Sequence, residues 1–241
     1  MPTDPQTAAA WMPWLAVLVS YLVGSLSFAV IVSRAMGLAD PRSYGSGNPG
    51  ATNVLRSGRR SAAVLTLALD ALKGYVPVLA VLWGGTRLGF APGVVEATAA
   101  AAGLAAFLGH LWPVFFRFQG GKGVATAAGV LLAVNPWLGL ATLASWLLVA
   151  FFFRFSSLAS IVAALFAPFY QLLIWDAGWT AAAIGVMSLL LVWKHAPNIN
   201  KLLAGTESRI GQKAVLTASA ESAARGAVSA SPKKSVKEPR P

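Results

Sequence analysis

The chain contains no cysteine, two histidines and only eight acidic residues among 241. Without thiols there is no disulfide, no thiolate nucleophile and no Cys-based metal site. His110 and His195 are too few for a multi-histidine metal cage. Charge as a whole is scarce, with Asp, Glu, Lys and Arg at 11% of residues, against about 25% in a soluble domain. What fills the chain instead is apolar, at 56%. The apolar residues form long uncharged runs separated by short clusters of Arg, Lys, Gly, Asn and Ser, and no stretch large enough for an ordinary soluble domain is left between them. The expected fold is therefore all-α, a polytopic membrane helix bundle over residues 1–216. A basic, disordered tail over 217–241, rich in Ala, Ser, Lys and Pro, is expected to follow it.

A membrane-spanning helix needs about 20 mostly apolar residues. Candidate spans lie at 12–36, 61–83, 93–112, 137–154, 157–175 and 178–194, with a shorter apolar run at 123–134. Asn135-Pro136 divides the short run from its successor, because proline disfavours helical backbone in the residue before it. The run at 123–134 is either a half-helix packed against protein or the first half of a kinked helix. Counting it gives about seven transmembrane helices, one of them short or broken. No basic flank precedes the first run, which reads as a membrane helix rather than a cleaved signal peptide.

Charge sets the expected orientation. With the N-terminus outside, the inner segments are 34–60, 113–122, 154–156 and 194–241. They hold every Lys and Arg except Arg87, which falls outside, and Lys73, which lies within a span. An excess of basic residues marks cytoplasmic loops, so the N-terminus is expected outside and the C-terminus inside. The net charge of +11 is then a property of membrane edges. Nothing resembles a nucleic-acid-binding module, and nucleic acid is not an expected partner. For the tail, a plain solvated terminus competes with a weak grip on anionic lipid, at about 1 kcal/mol per basic residue near the surface.

Three inner regions carry unusual residues. The first runs from Gly45 through Ser46, Gly47, Asn48, Pro49, Gly50, Ala51, Thr52 and Asn53 to Arg56. Glycines let backbone N–H groups converge on an anion, and arginine supplies a fork suited to phosphate. A plain turn accounts for the glycines but not for so many donors. The second region spans His110 to Thr126 and contains Gly120-Gly121-Lys122-Gly123 directly before an apolar run. A helix N-terminus with a lysine beside it favours phosphate. This is not a Walker A loop, since Gly123 stands where Ser or Thr would hold magnesium. His110 is equally readable as a packed helix-end residue. The third region joins the hydroxyl cluster Ser156-Ser157 and Ser160 to the segment from His195 and Asn198 to Glu207. Asp70 and Lys73, three apart in the second span, read as a mutual ion pair that supports the site. These inner loops offer only Asp40 and Glu207 as carboxylates, so no metal and no cofactor is expected.

Together these segments resemble the bacterial acyl-phosphate:glycerol-3-phosphate acyltransferase family. The resemblance rests on Gly-Ser-Gly-Asn-x-Gly-Ala-Thr-Asn-x-x-Arg at 45–56, Asp-x-x-Lys-Gly at 70–74 and His-x-x-Pro-Val-Phe-x-x-Phe-x-Gly-Gly-Lys-Gly-Val-Ala-Thr at 110–126. It extends to Ser-Leu-Ala-Ser at 157–160, His-x-x-Asn-Ile at 195–199 and Leu-x-x-Gly-x-Glu ending at Glu207. It covers the chain from about residue 12 to about Ile210. Lys201, where the family often has Arg, and Pro197, where a polar residue is common, are its departures.

The resemblance implies an enzyme of the bacterial inner membrane, multi-pass, with its active site facing the cytoplasm. It would transfer a fatty acyl group from acyl phosphate to glycerol 3-phosphate in the first step of phospholipid synthesis. Catalytic roles fall on Arg56, Lys122, Ser157, His195 and Asn198. Substrate contacts fall on Ser46, Gly47, Asn48, Gly50, Thr52, Asn53, Gly120, Gly121, Gly123 and Thr126, with Asp70, Lys73, His110 and Glu207 in support. The expected partners are acyl phosphate, glycerol 3-phosphate and the bilayer. The expected base is a phosphate oxygen of the substrate, with His195 as its rival. The competing reading is a membrane transporter of a phosphorylated metabolite, which usually shows repeated halves. No internal repeat is present.

Overall fold

The structure, a computed structural model, describes residues 10–212. The tail expected at 217–241 lies outside the described residues. Among the described residues the regular structure is helical throughout. Ahead of the first polar loop come α1 (Met12–Gly24) and α2 (Phe28–Ala35). Beyond a 3-10 turn at Pro41–Ser43 follow the short α3 (Ala51–Leu55), then α4 (Arg60–Arg87) and α5 (Pro92–Leu111). The remaining helices are α6 (Val124–Val134), α7 (Pro136–Phe153), α8 (Ser156–Ile174), α9 (Trp179–Lys194) and α10 (Ala196–Leu203).

Four helices are long and apolar enough to cross a membrane, or up to six if each of the bent pairs α1–α2 and α9–α10 counts as one span. The short α6 is apolar but stands apart from these candidate spans. At 11 residues and a rise of about 1.5 Å per residue, it reaches only about half of a 30 Å hydrocarbon core. It is the half-helix of the two readings. Asn135 ends it and caps the next helix, its side chain accepting from the N–H groups of Trp137 (2.9 Å) and Leu138 (3.3 Å).

The run at 12–36 is not one straight helix. It bends by 44° between Gly24 and Phe28. Ser25 and Ser27 are buried at the break, and Ser25 Oγ donates back to the Tyr21 carbonyl at 2.8 Å. Such back-bonding competes with the helical ladder. A second bend, of 53°, separates α9 from α10. Pro197 sits in the first turn of α10, where its missing N–H is not needed.

The packed interior combines a few large side chains, Phe107, Leu111, Leu138 and Ile184, with many alanines. Small residues let membrane helices approach closely where apolar burial gives no driving force between them. The outside is apolar too. Trp14, Phe151 and Leu189 are each largely exposed, the surface a bilayer covers. By helix order, the α2–α4, α5–α6 and α7–α8 connections and the chain that follows α9 lie at one end of the bundle.

Candidate active site

The first polar loop is built around Asn53, which is 1% exposed. Its amide donates to the carbonyls of Pro41 (2.6 Å) and Tyr44 (3.1 Å), and its Oδ1 accepts from the Ser46 N–H (3.0 Å) and Arg56 Nη1 (3.3 Å). Asn53 is thus spent on shaping the loop. Ser46, Gly47 and Thr52 stay exposed on its surface, and Asn48 and Gly50 are half-buried. The Asp40 carboxylate closes the preceding turn, pairing with Arg42 at 2.6 Å.

The second loop returns from α5 to the start of α6. Gly121 N–H donates to the His110 carbonyl at 3.1 Å. Gly123 adopts φ 83° as N-cap, a backbone that disfavours a side chain, and a Cβ there would run into the Phe107 ring. With glycine as cap, no side chain bonds to the first turn of α6, and its N–H groups stay available to an anion. Thr126 lies fully buried beneath, 3.3 Å from His110 Nδ1.

Chain-distant segments meet above this floor. Lys122 Nζ donates to Asn198 Oδ1. Asn198 Nδ2 in turn donates to Glu207 Oε1 at 2.7 Å, and Ser157 Oγ donates to the same oxygen at 2.8 Å. Arg56 donates to Ser208 Oγ, and Thr52 Oγ1 lies 3.1 Å from Ser156 Oγ. The segment after α10 folds back over the bundle end, its Ile210 N–H donating to the Arg154 carbonyl at 2.7 Å. Arg56, Lys122, Ser157, Asn198 and Glu207 therefore form one linked cluster. Asp70, Lys73, His110 and Thr126 lie buried away from its surface.

Sequence reasoning placed Ser156 in the inner hydroxyl cluster without a contact of its own and did not single out Ser208. The signal for Ser208 was its adjacency to Glu207. Serine hydroxyls are too common at helix ends to single out without their partners.

The cluster carries more positive than negative charge. Burial pushes Lys122 from its ordinary 10.5 down to about 8; Glu207 opposes this, while Lys201 and Arg56 add to it. Arg56 is likewise lowered by burial, against the pull of Glu207, yet guanidinium stays protonated in proteins. His195 lies just past the end of α9 and is buried. Its Nδ1 is 2.8 Å from the Leu191 carbonyl oxygen, so Nδ1 holds the proton and donates. Burial, with the charge of Lys122 adding, pushes His195 down to about 4, so the ring is neutral near pH 7.

An apolar cavity of about 360 Å³ lies between α1, α4 and α5 at the other end of these helices, lined by Met12, Val23, Pro77, Leu88 and Phe90. It includes none of the expected site residues. No group of three side chains able to hold a metal ion occurs among the described residues.

A family model described as glycerol-3-phosphate acyltransferase matches residues 14–205. A protein named glycerol-3-phosphate acyltransferase from Ralstonia pickettii is 62% identical over 196 residues, covering 81% of this chain and 93% of its own. Relatives of the same name in Paraburkholderia phytofirmans and Burkholderia lata are 61% and 64% identical, over 87% and 83% of this chain and 96% and 91% of theirs. Among solved structures, the fold is similar to the glycerol 3-phosphate form of PlsY, an integral membrane glycerol 3-phosphate acyltransferase. The TM-score is 0.75 at 38% identity, over 83% of this chain and 96% of that one. Its lysophosphatidic acid form gives 0.73 at 36%, over 82% and 94%.

Proposed function

The chain belongs to the glycerol-3-phosphate acyltransferase family, and from that premise we propose that it moves a fatty acyl group from an acyl phosphate to glycerol 3-phosphate. The products are 1-acyl-glycerol 3-phosphate and inorganic phosphate, the first step of phospholipid synthesis. One observation carries the reading: Arg56 and Lys122, from different loops, are tied through Ser208, Asn198, Glu207 and Ser157 into one cluster at one bundle end. Three cations, Arg56, Lys122 and Lys201, and one carboxylate suit two phosphate groups held side by side.

In this mechanism Lys122, Arg56 and the open N–H groups of α6 hold both phosphates. The glycerol hydroxyl oxygen attacks the acyl carbonyl carbon. The bond from that carbon to the phosphate oxygen breaks, and phosphate leaves with the bonding pair. Positioning and charge stabilisation suffice, because phosphate is already a good leaving group. Ser157 donates to Glu207 rather than to a histidine, which argues against an acyl-enzyme. The hydroxyl proton passes to a phosphate oxygen of the substrate. Phosphate monoesters take up a proton near pH 6, closer to neutrality than His195 at about 4. The acyl chain lies between helices within the bilayer. The basic residues at the site end support a cytoplasmic site in the inner membrane.

Incubating the purified protein with palmitoyl phosphate and glycerol 3-phosphate, without thioester, tests this. Lysophosphatidic acid and inorganic phosphate should appear in equal amounts. Product formed only from acyl-CoA or acyl carrier protein would overturn the donor assignment.

A further inference from the structure

Beneath the cluster lies a second polar group that the proposed chemistry does not use. Asp70 and Lys73 are paired inside α4 at 2.8 Å, with side chains 3% and 1% exposed. Ionisable groups so deep in a span are costly and persist only with partners. Their partners join two separate elements.

Lys73 Nζ donates to the Leu26 carbonyl at 2.8 Å and lies 5.8 Å from the Phe28 ring centroid. Leu26 sits in the break between α1 and α2, where the helical ladder is interrupted and a carbonyl needs another donor. α2 leads directly into the first polar loop. On the other side, Asp70 Oδ1 is 3.7 Å from His110 Nδ1, to which Thr126 Oγ1 also approaches at 3.3 Å. The far ring nitrogen of His110 abuts Gly121, where a Cβ would overlap it and would also stand 3.1 Å from the Pro49 carbonyl oxygen. Gly121 is thus the place where the first loop, at Pro49, meets the second.

The contacts make one chain: the break in the first span, Lys73, Asp70, His110, and then the junction of the two loops. We infer that the Asp70–Lys73 pair and His110 are positioning residues that hold the loops bearing Arg56 and Lys122 at a fixed separation. Each loop keeps its own internal bonds, Asn53 in the first and the α6 N-terminus in the second. Loss of the chain therefore misaligns two bound substrates rather than preventing either from binding. Small misplacements of reacting groups cost rate heavily.

The inference rests on the reading that these loops hold the two substrates, and wild-type turnover of palmitoyl phosphate with glycerol 3-phosphate tests that reading separately. The positioning test compares His110→Ala, His110→Asn and the paired change Asp70→Leu with Lys73→Met, all assayed in lipid alongside thermal unfolding. The paired change removes both charges together and leaves none unpaired. His110→Ala and the paired variant should lower kcat at least tenfold while KM for glycerol 3-phosphate changes less than threefold and Tm stays near that of the wild type. His110→Asn, whose amide can stand near Nδ1, should recover part of the loss. A kcat within twofold of wild type in His110→Ala overturns the inference, whether or not the paired variant folds. A loss in His110→Ala carried by KM alone, or matched by a fall in Tm, overturns it too.

Discussion

Lys122 concentrates the electrostatics of the site in one side chain. It is held by Asn198, surrounded by Arg56 and Lys201, and opposed by Glu207. Burial brings it down to about 8, so it is charged at pH 7 and loses its proton as pH climbs through that value. In the proposed mechanism its charged form holds phosphate, so kcat/KM for glycerol 3-phosphate should fall on the alkaline side with a midpoint near pH 8. Lys122→Arg should move that limb out of the measured range, since arginine does not deprotonate there. His195 gives a second residue-level expectation. With its proton fixed on Nδ1 and a weakly basic ring, His195→Gln should raise KM and lower kcat less than about tenfold, whereas loss of a true general base costs about 10²–10⁴. Turnover at saturating substrate separates the two, and a collapse of kcat would make His195 the base.

At the scale of elements, the segment after α10 closes the site. Glu207 accepts from both Ser157 of α8 and Asn198 of α10, and Ile210 anchors on Arg154. Glu207→Ala should free this segment, seen as faster proteolysis near residues 204–212, and lower kcat/KM about tenfold or more. Glu207→Gln keeps an acceptor oxygen and should lose less. Unchanged activity in Glu207→Ala would leave the segment without a part in catalysis.

The same scale shows what was legible in the sequence. A break at Asn135-Pro136 was readable, because proline disfavours helical backbone in the residue before it, but the choice between a kink and a full stop was not, since Pro77 and Pro168 lie inside continuous helices. The break at Gly24–Phe28 was not, because Ser25 and Ser27 sit inside an otherwise apolar run and the answering donor, Lys73, is 47 residues away. Asn53 was legible as a loop residue but not as the loop's internal brace. An asparagine shows its partners only once Pro41, Tyr44, Ser46 and Arg56 are folded around it.

In the molecule as a whole, segments more than a hundred residues apart meet at one bundle end. The alternation of apolar runs with basic loops implied that convergence, since an even number of crossings returns the chain to the same side. Which side chains then touch is decided by packing. The absence of native cysteine makes a direct measurement available. Thr52 Oγ1 and Ser156 Oγ are 3.1 Å apart across the junction of α3 with α8, within reach of a disulfide. In a protein carrying only Thr52→Cys and Ser156→Cys, mild oxidation in the membrane should remove both alkylatable thiols within a single chain, and reductant should restore them. Two thiols that stay free and alkylatable under oxidation would separate the loops and contradict the shared site.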